Sequence, residues 1–257
     1  MKPHRIFATV LSAFIAATAP QMADCTVLAV VKKGNTVWVG ANSNTSEELP
    51  NGKFKRGPAD CKIHPIGTTV MLHAGAISFP SNGRMINFID LIEKATNPSL
   101  LLPENKARIT TAIESEYAQI GKFIAAQRQA KGQKLPDRWI AIEAQTVVLV
   151  SVLATSGPRV IAFVITMQME KETPKFILTD VDLTKHRDFS LMMDGREFPP
   201  VPHEWLNDNE DPPTWIREQI NEKSQEDEAD WGGQIVIARL STGKEGSKWL
   251  QNSSPCQ

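Results

Sequence analysis

The chain has 257 residues, of which 41% are apolar and 22% charged, with a formal net charge of −1 at pH 7. This composition excludes a disordered polar chain, a collagen-like repeat and a strongly basic nucleic-acid-binding protein. Three cysteines are too few for a disulfide scaffold, and no Cys/His cluster has the spacing of a zinc site. The sequence therefore predicts a globular protein with a sizeable core, and it implies no cofactor, metal or nucleic-acid partner.

The first 24 residues are typical of a secretory signal peptide. A short basic segment at residues 2–5 precedes an apolar run over residues 6–17, and Ala17-Thr18-Ala19 supplies a small-x-small cleavage pattern. The apolar run is shorter than the ~20 residues that a membrane-spanning helix needs. We therefore predict a periplasmic or secreted protein without membrane contact after cleavage of residues 1–24. An uncleaved N-terminal anchor is the alternative.

The next hundred residues predict short strands followed by two helices. A β-hairpin is expected first, because two β-branched, apolar runs flank Gly34-Asn35. The polar segment 42–60 is rich in Gly, Pro, Ser and Asn and predicts a loop. Strands are predicted over residues 25–31, 36–41, 61–64 and 68–73. Apolar residues at helical spacing predict helices over residues 83–95 and 104–131.

The second half predicts mainly strands. Two of them, at residues 140–153 and 160–169, are almost continuously apolar and are expected to be buried on both faces. Further predicted elements are a strand over 176–178, an irregular connection over 198–213, a helix over 214–225 and a strand over 234–240. No repeat or linker divides the chain, so residues 25–257 are predicted to form a single domain. The order of elements predicts a layered α+β or α/β fold.

The start of the predicted mature chain carries a resemblance to a known family. Cys25-Thr26-Val27-Leu28-Ala29 leads into the hairpin with Gly34 in its turn, and Lys62 and Ala74-Gly75-Ala76 follow on later strands. This pattern resembles proteasome β-subunits and their bacterial two-component-protease relatives, which are N-terminal nucleophile (Ntn) hydrolases. Trp231–Ile237 and the preceding helix are similar to the end of that family. The resemblance implies an α+β fold, a four-layer αββα sandwich in which two antiparallel sheets face each other between outer helices.

The resemblance also implies amide or peptide-bond hydrolysis by an N-terminal cysteine. Cys25 is the implied nucleophile, and its own α-amine, once freed by processing, is the implied base. The charge of Lys62 would favour the thiolate, and the backbone N–H of Gly75 would stabilise the oxyanion. The implied substrate is a peptide or a small amide. Because the family's members work as rings, a homo-oligomer is a further expectation.

Two features depart from the family's pattern. The family carries an aspartate that pairs with the lysine, but Ala41 stands there, and Asn42 is the nearest polar substitute. Signal cleavage after Ala19 or Ala23 also leaves residues ahead of Cys25, so a further cut is required. The alternative hypothesis is therefore a catalytically inactive Ntn-fold protein that acts as a binding or interaction module.

The disulfide pairing is open from the sequence. In an oxidising compartment, three cysteines are expected to form one pair and leave one thiol. A Cys61–Cys256 pair would leave Cys25 free, whereas a disulfide at Cys25 would exclude catalysis.

Other polar residues are expected to have structural roles. His64 and His73 occupy alternating strand positions, and Gly232-Gly233 is predicted to form a tight turn before the last strand. The acidic run at residues 226–230 lacks the order of a calcium loop and is predicted to be solvated.

Overall fold

The computed structural model describes residues 22–23, 26–44, 46–48, 54–56, 60–75, 77–81, 84–152, 157–193, 203–204, 210–226, 233–242 and 247–251. The predicted nucleophile Cys25 lies outside these residues, as do Cys256 and all of the predicted signal peptide except residues 22–23.

The described residues form sixteen strands and three helices. The strands are β1 (Met22–Ala23), β2 (Leu28–Lys33), β3 (Thr36–Asn42), β4 (Ser46–Glu48), β5 (Phe54–Arg56), β6 (Ile63–Ile66), β7 (Thr69–Ala74), β8 (Ser78–Ser81), β9 (Arg84–Asn87), β10 (Trp139–Ser151), β11 (Arg159–Glu170), β12 (Thr173–Asp182), β13 (Phe189–Met193), β14 (His203–Glu204), β15 (Ile235–Ser241) and β16 (Lys248–Gln251). The helices are α1 (Phe88–Ala95), α2 (Leu102–Ala130) and α3 (Pro212–Glu226).

These strands pair antiparallel in three sheets. The first sheet has the order β12-β11-β10-β7-β6, and the second has the order β14-β13-β2-β3-β15-β16. The third, smaller sheet has the order β5-β4-β1-β8-β9. In the second sheet Leu28 of β2 pairs with Ala41 of β3, so the predicted N-terminal hairpin is confirmed.

The apolar interior explains why β2, β7, β10 and β11 read as continuous apolar runs. One face of the first sheet packs against the second sheet, where Leu72 and Val148 join Val39 in one cluster. The opposite face of the first sheet carries Phe163 and packs against α1 and α2. Helix α3 covers the outer face of the second sheet through Ile216. Strands enclosed on both sides need apolar residues at successive positions.

The expected four-layer αββα sandwich of the proteasome type is wrong for this chain. The described residues form three antiparallel sheets, where that architecture has two. Several strands of the third sheet lie in segments for which the sequence predicted other structure. Residues 42–60, predicted as a loop, contain β4 and β5, and the start of the predicted helix 83–95 forms β9. Short polar strands lack apolar alternation and are held by backbone pairing, so their side-chain pattern does not reveal them.

Strand β1 joins the two halves of this third sheet. Met22 pairs with Glu47 of β4 on one side and with Ser78 of β8 on the other. Residues 22–23 therefore connect the β4–β5 hairpin to the β8–β9 hairpin, although they belong to the predicted signal peptide.

The longest predicted elements agree with the structure. Helix α2 matches the helix predicted over 104–131, and α3 matches the one predicted over 214–225. No helix among the described residues has the length and apolar character that a membrane crossing requires.

Candidate functional site

A cluster of buried polar side chains interrupts the apolar interior where β3 ends, beside β6, β7 and β10. Each of its members is at most 1% exposed. The members of this polar cluster are Asn42, Ser43, Asn44, Lys62, His73 and Gln145. Buried polar and charged groups carry a desolvation cost, so a cluster of this size marks the part of the molecule where chemistry is concentrated.

Asn42 and Ser43 hold the end of β3 in a fixed position. The side-chain Oδ1 of Asn42 accepts a hydrogen bond from the backbone N–H of Val27 at 2.8 Å. The N–H of Ser43 donates to the carbonyl of Gln234 at 2.9 Å, and the N–H of Gln234 donates to Ser43 Oγ at 3.1 Å. Contacts from β2 on one side and from the start of β15 on the other therefore fix residues 42–43.

Asn44 continues this segment and lies against Gly233. A Cβ atom at Gly233 would lie 2.5 Å from Asn44 Oδ1 and 2.9 Å from its backbone nitrogen, and Gly233 has φ +105°. Only glycine combines that backbone conformation with the space for the Asn44 side chain. The predicted Gly-Gly turn thus leaves room for a buried amide.

Lys62 is the charged member of the cluster. Its side chain is 0% exposed, and its Nζ lies 3.9 Å from Oδ2 of Asp60. The backbone joins this residue to the rest of the cluster, because the N–H of His73 donates to the Lys62 carbonyl and the N–H of Asp60 donates to the Ser43 carbonyl. Lysine is rarely buried this completely unless its charge is paired or used.

His73 is a neutral histidine beside this lysine. Its Nε2 donates a hydrogen bond to Gln145 Oε1 at 2.6 Å, the direction that a neutral amide oxygen requires. Complete burial lowers the pKa of His73 to about 3, and the nearby positive charges of Lys62 and His64 act in the same direction, whereas the bond to Gln145 opposes them. At neutral pH the imidazole of His73 is therefore uncharged.

His64 lies at the edge of the same region. Its Nδ1 is 3.2 Å from Oε1 of Glu93, and burial lowers the pKa of His64 even though Glu93 and Asp60 raise it.

Gly75 follows β7 in an unusual backbone conformation. Its φ is +132°, and a Cβ atom there would lie 2.5 Å from the backbone oxygen of Ala144 and 3.0 Å from the Gln145 side chain. This backbone therefore packs directly onto β10 beside the polar cluster, a close approach that only glycine permits.

The structure brings three of the four predicted site residues into one region. Asn42 and Lys62 belong to the polar cluster, and Gly75 packs against one of its members, while Cys25 lies outside the described residues. Ala41, which stands in place of the family's aspartate, is buried in the apolar interior between the two sheets. Asn42 contacts the start of β2 through Val27.

The similarities to known proteins are distant and structural. No protein-family model matches the chain, and no curated protein does. The fold is similar to that of a Gly-1 mutant of Anbu from Hyphomicrobium sp. strain MC1. That similarity covers 88% of each chain, with 10% sequence identity and a TM-score of 0.36. Values this low assign neither a family nor a function.

Cys61 is disulfide-bonded. Its partner lies outside the described residues, as do both other cysteines of the chain, Cys25 and Cys256. Of the three pairings that the sequence left open, Cys61–Cys256 and Cys25–Cys61 therefore remain, and they have opposite consequences for a nucleophile at Cys25.

Four cluster members were absent from the sequence-based site, namely Ser43, Asn44, His73 and Gln145. They belong to β7, β10 and the segment after β3, and only the packing of the sheets brings them together. Within the described residues, no group of His, Cys, Asp and Glu has the arrangement to hold a metal ion.

Proposed function

We propose that the protein is a secreted amide hydrolase that cleaves peptides, with Cys25 as its nucleophile after removal of residues 1–24. The thiolate of Cys25 attacks the substrate carbonyl, and the leaving amine takes a proton from the α-ammonium group of Cys25. Water then hydrolyses the thioester, which releases the acid and restores the thiol. The backbone N–H of Gly75 donates to the oxyanion in both steps.

The observation that carries this proposal is the burial of Lys62. A lysine whose side chain is 0% exposed supplies a fixed positive charge in a region of low dielectric. Such a charge stabilises a neighbouring thiolate and a developing oxyanion more strongly than it would in water. The tie between Asn42 and Val27 supports the placement of Cys25 here, because it holds the chain two residues after Cys25 against the cluster.

Strand β1 favours a peptide over a small amide as the substrate. Residues 22–23 lie between β4 and β8 and pair with both. A cut directly before Cys25 would detach them from the chain and leave a position one strand wide between two strand edges. An extended peptide fits such a position by backbone pairing, as in other cases of strand addition.

The first test is the N-terminal sequence, the intact mass and a disulfide map of the secreted protein, all without reduction. We expect a chain that begins at Cys25, a Cys61–Cys256 disulfide and one free thiol. Peptide hydrolysis should then be lost in Cys25→Ala and retained in Thr26→Val, which removes the adjacent hydroxyl as a matched control. A chain that begins at Pro20 or Asp24, or a Cys25–Cys61 disulfide, would overturn the proposal.

The second candidate function is a binding module without catalysis. If the disulfide at Cys61 joins it to Cys25, the nucleophile is removed and this function remains. Ala41 in place of an aspartate favours it, since Lys62 then lacks the family's orienting carboxylate. Under this alternative β1 stays in place in the mature protein, and the same disulfide map decides between the two.

A further inference from the structure

We propose that Asn44 determines specificity, by donating a hydrogen bond from its side-chain Nδ2 to a carbonyl oxygen in the side chain of a bound peptide. The inference deepens the proposed function and rests on the same site. The expected ligand residue carries an amide or carboxylate oxygen, which accepts a hydrogen bond from the buried amide donor.

The first support is an unmatched donor. Asn44 is 1% exposed, and its Nδ2 has no hydrogen-bond partner within the described part of the chain. Almost all buried polar side-chain atoms in folded proteins are hydrogen-bonded, so an unsatisfied amide destabilises the unliganded protein. A ligand oxygen that accepts this bond removes that cost, which makes the donor selective for ligands that carry one.

The second support is that the amide is held in place. Ser43, directly before it, is bonded in both directions to Gln234. Gly233 lies against Asn44 Oδ1, so the oxygen end of the amide is the end that contacts the β15 side. The donor end is thus fixed by its neighbours.

The third support concerns the kind of ligand. Asn44 lies two residues before β4, one of the two strand edges that flank β1. Its donor has no partner among the described residues while residues 22–23 pair with β4. A peptide bound in place of residues 22–23 would use its backbone for strand pairing, which leaves its side chains to supply the acceptor. Lys62 is also a hydrogen-bond donor, so the cluster favours a ligand with an oxygen acceptor, either an amide or a carboxylate.

The test uses short alanine-based peptide amides that carry one Asn, Asp or Leu at each position in turn. Leu and Asn have nearly the same shape, so the pair isolates the acceptor. Affinities are measured by calorimetry on the secreted, processed Cys25→Ser variant, and kcat/KM is measured on the wild type. At one peptide position we expect Asn or Asp to exceed Leu by about 10-fold to 100-fold, the effect of one bond to a buried donor. The Asn and Asp arms distinguish an amide from a carboxylate ligand.

Asn44→Leu should abolish this preference without lowering the midpoint of urea unfolding, because it removes an unsatisfied buried donor. Asn44→Asp keeps the shape, lacks the donor and serves as the second variant. Thr110→Val is the matched control: Thr110 on α2 also has a buried oxygen without a partner among the described residues, and its loss should leave the preference intact.

Two results would overturn the inference: equal binding of Asn, Asp and Leu peptides at every position, or a preference that survives in Asn44→Leu. The outcomes also separate it from the proposed function. If the peptides discriminate in binding but the wild type hydrolyses none of them, the hydrolase proposal fails and the role of Asn44 stands.

Discussion

The side chain of Asn42 accepts a hydrogen bond from the backbone N–H of Val27 at 2.8 Å, and both residues are almost completely buried. This bond ties the end of β3 to the residue before β2. Asn42→Ala leaves the Val27 N–H without its acceptor, so we expect the free energy of unfolding to fall by about 1–3 kcal/mol. Urea unfolding with a constant m-value measures the change.

Two further variants test the cause of this loss. Asn42→Asp keeps an oxygen at the same position and should retain more stability than Asn42→Ala. Gln133→Ala, at an exposed position after α2, should change stability by less than about 0.5 kcal/mol. Equal losses in Asn42→Ala and Asn42→Asp would contradict the assignment of the bond as the cause.

His73 should make stability depend on pH in the acidic range. Burial lowers the pKa of His73 to about 3 in the folded protein, while the unfolded chain titrates near 6.5. Between these values the unfolded state binds a proton that the folded state excludes, so the free energy of unfolding falls as the pH falls. The slope from this group is at most about 1.4 kcal/mol per pH unit, and the contribution vanishes above about pH 6.5.

The measurement is urea unfolding of the wild type and of His73→Gln from about pH 8 to about pH 4.5, a range that extends from above the unfolded pKa to a point between the two pKa values. The variant should lose less stability than the wild type below about pH 6.5, with parallel profiles above it. His64 is present in both proteins, so the difference reports His73 together with its interaction with His64. Superimposable profiles over the whole range would show that His73 does not titrate in this way.

The sequence predicted the elements whose apolar spacing is set by burial. Ile109, Ile113, Tyr117 and Ile120 all lie on the buried side of α2, which explains why the helix was found almost to its ends. Strands β10 and β11 are enclosed on both faces, so their continuous apolar runs were equally visible. When the burial of one helix or strand determines which of its residues are apolar, the spacing of those residues can be recognised in the sequence alone.

The third sheet and most of the polar cluster depend on contacts that are distant in the chain. Strand β1 pairs with residues 23 to 56 positions away, and no apolar pattern marks any of these strands. The resemblance suggested Lys62 from its place between Cys61 and Ile63. The burial of its side chain could not be predicted, because it depends on the packing of β6 against the second sheet. The same holds for Asn44, whose environment is made by Gly233 almost two hundred residues later.

Gly75 should tolerate no side chain. In Gly75→Ala, a residue with a Cβ atom has to adopt φ +132°. The new Cβ atom would lie 2.5 Å from the backbone oxygen of Ala144. We expect a loss of more than about 2 kcal/mol, because conformational strain and overpacking add. Gly132→Ala is the control: its φ is +69°, but no heavy atom lies within 4 Å, so only the strain of about 1 kcal/mol applies. Equal losses of stability in the two variants, measured by urea unfolding, would show that β10 shifts away from the new Cβ atom without a cost in free energy.

Substitution of Lys62 distinguishes an effect on activity from an effect on stability most clearly. Lys62→Met keeps the length of the side chain and removes the charge, which takes the buried ammonium out of a region of low dielectric. Stability should therefore stay the same or rise. Without the charge the thiolate of Cys25 is less favoured, so its alkylation by iodoacetamide at neutral pH should slow by about 10-fold or more.

Lys122→Met is the matched control, since Lys122 is exposed on α2, and it should leave the alkylation rate unchanged. Two results would contradict the role of Lys62. An unchanged alkylation rate in Lys62→Met would show that the charge does not act on Cys25. A slower rate that comes with a large loss of stability would indicate that the lysine serves folding, because removal of one member of a buried charged pair destabilises the partner left behind.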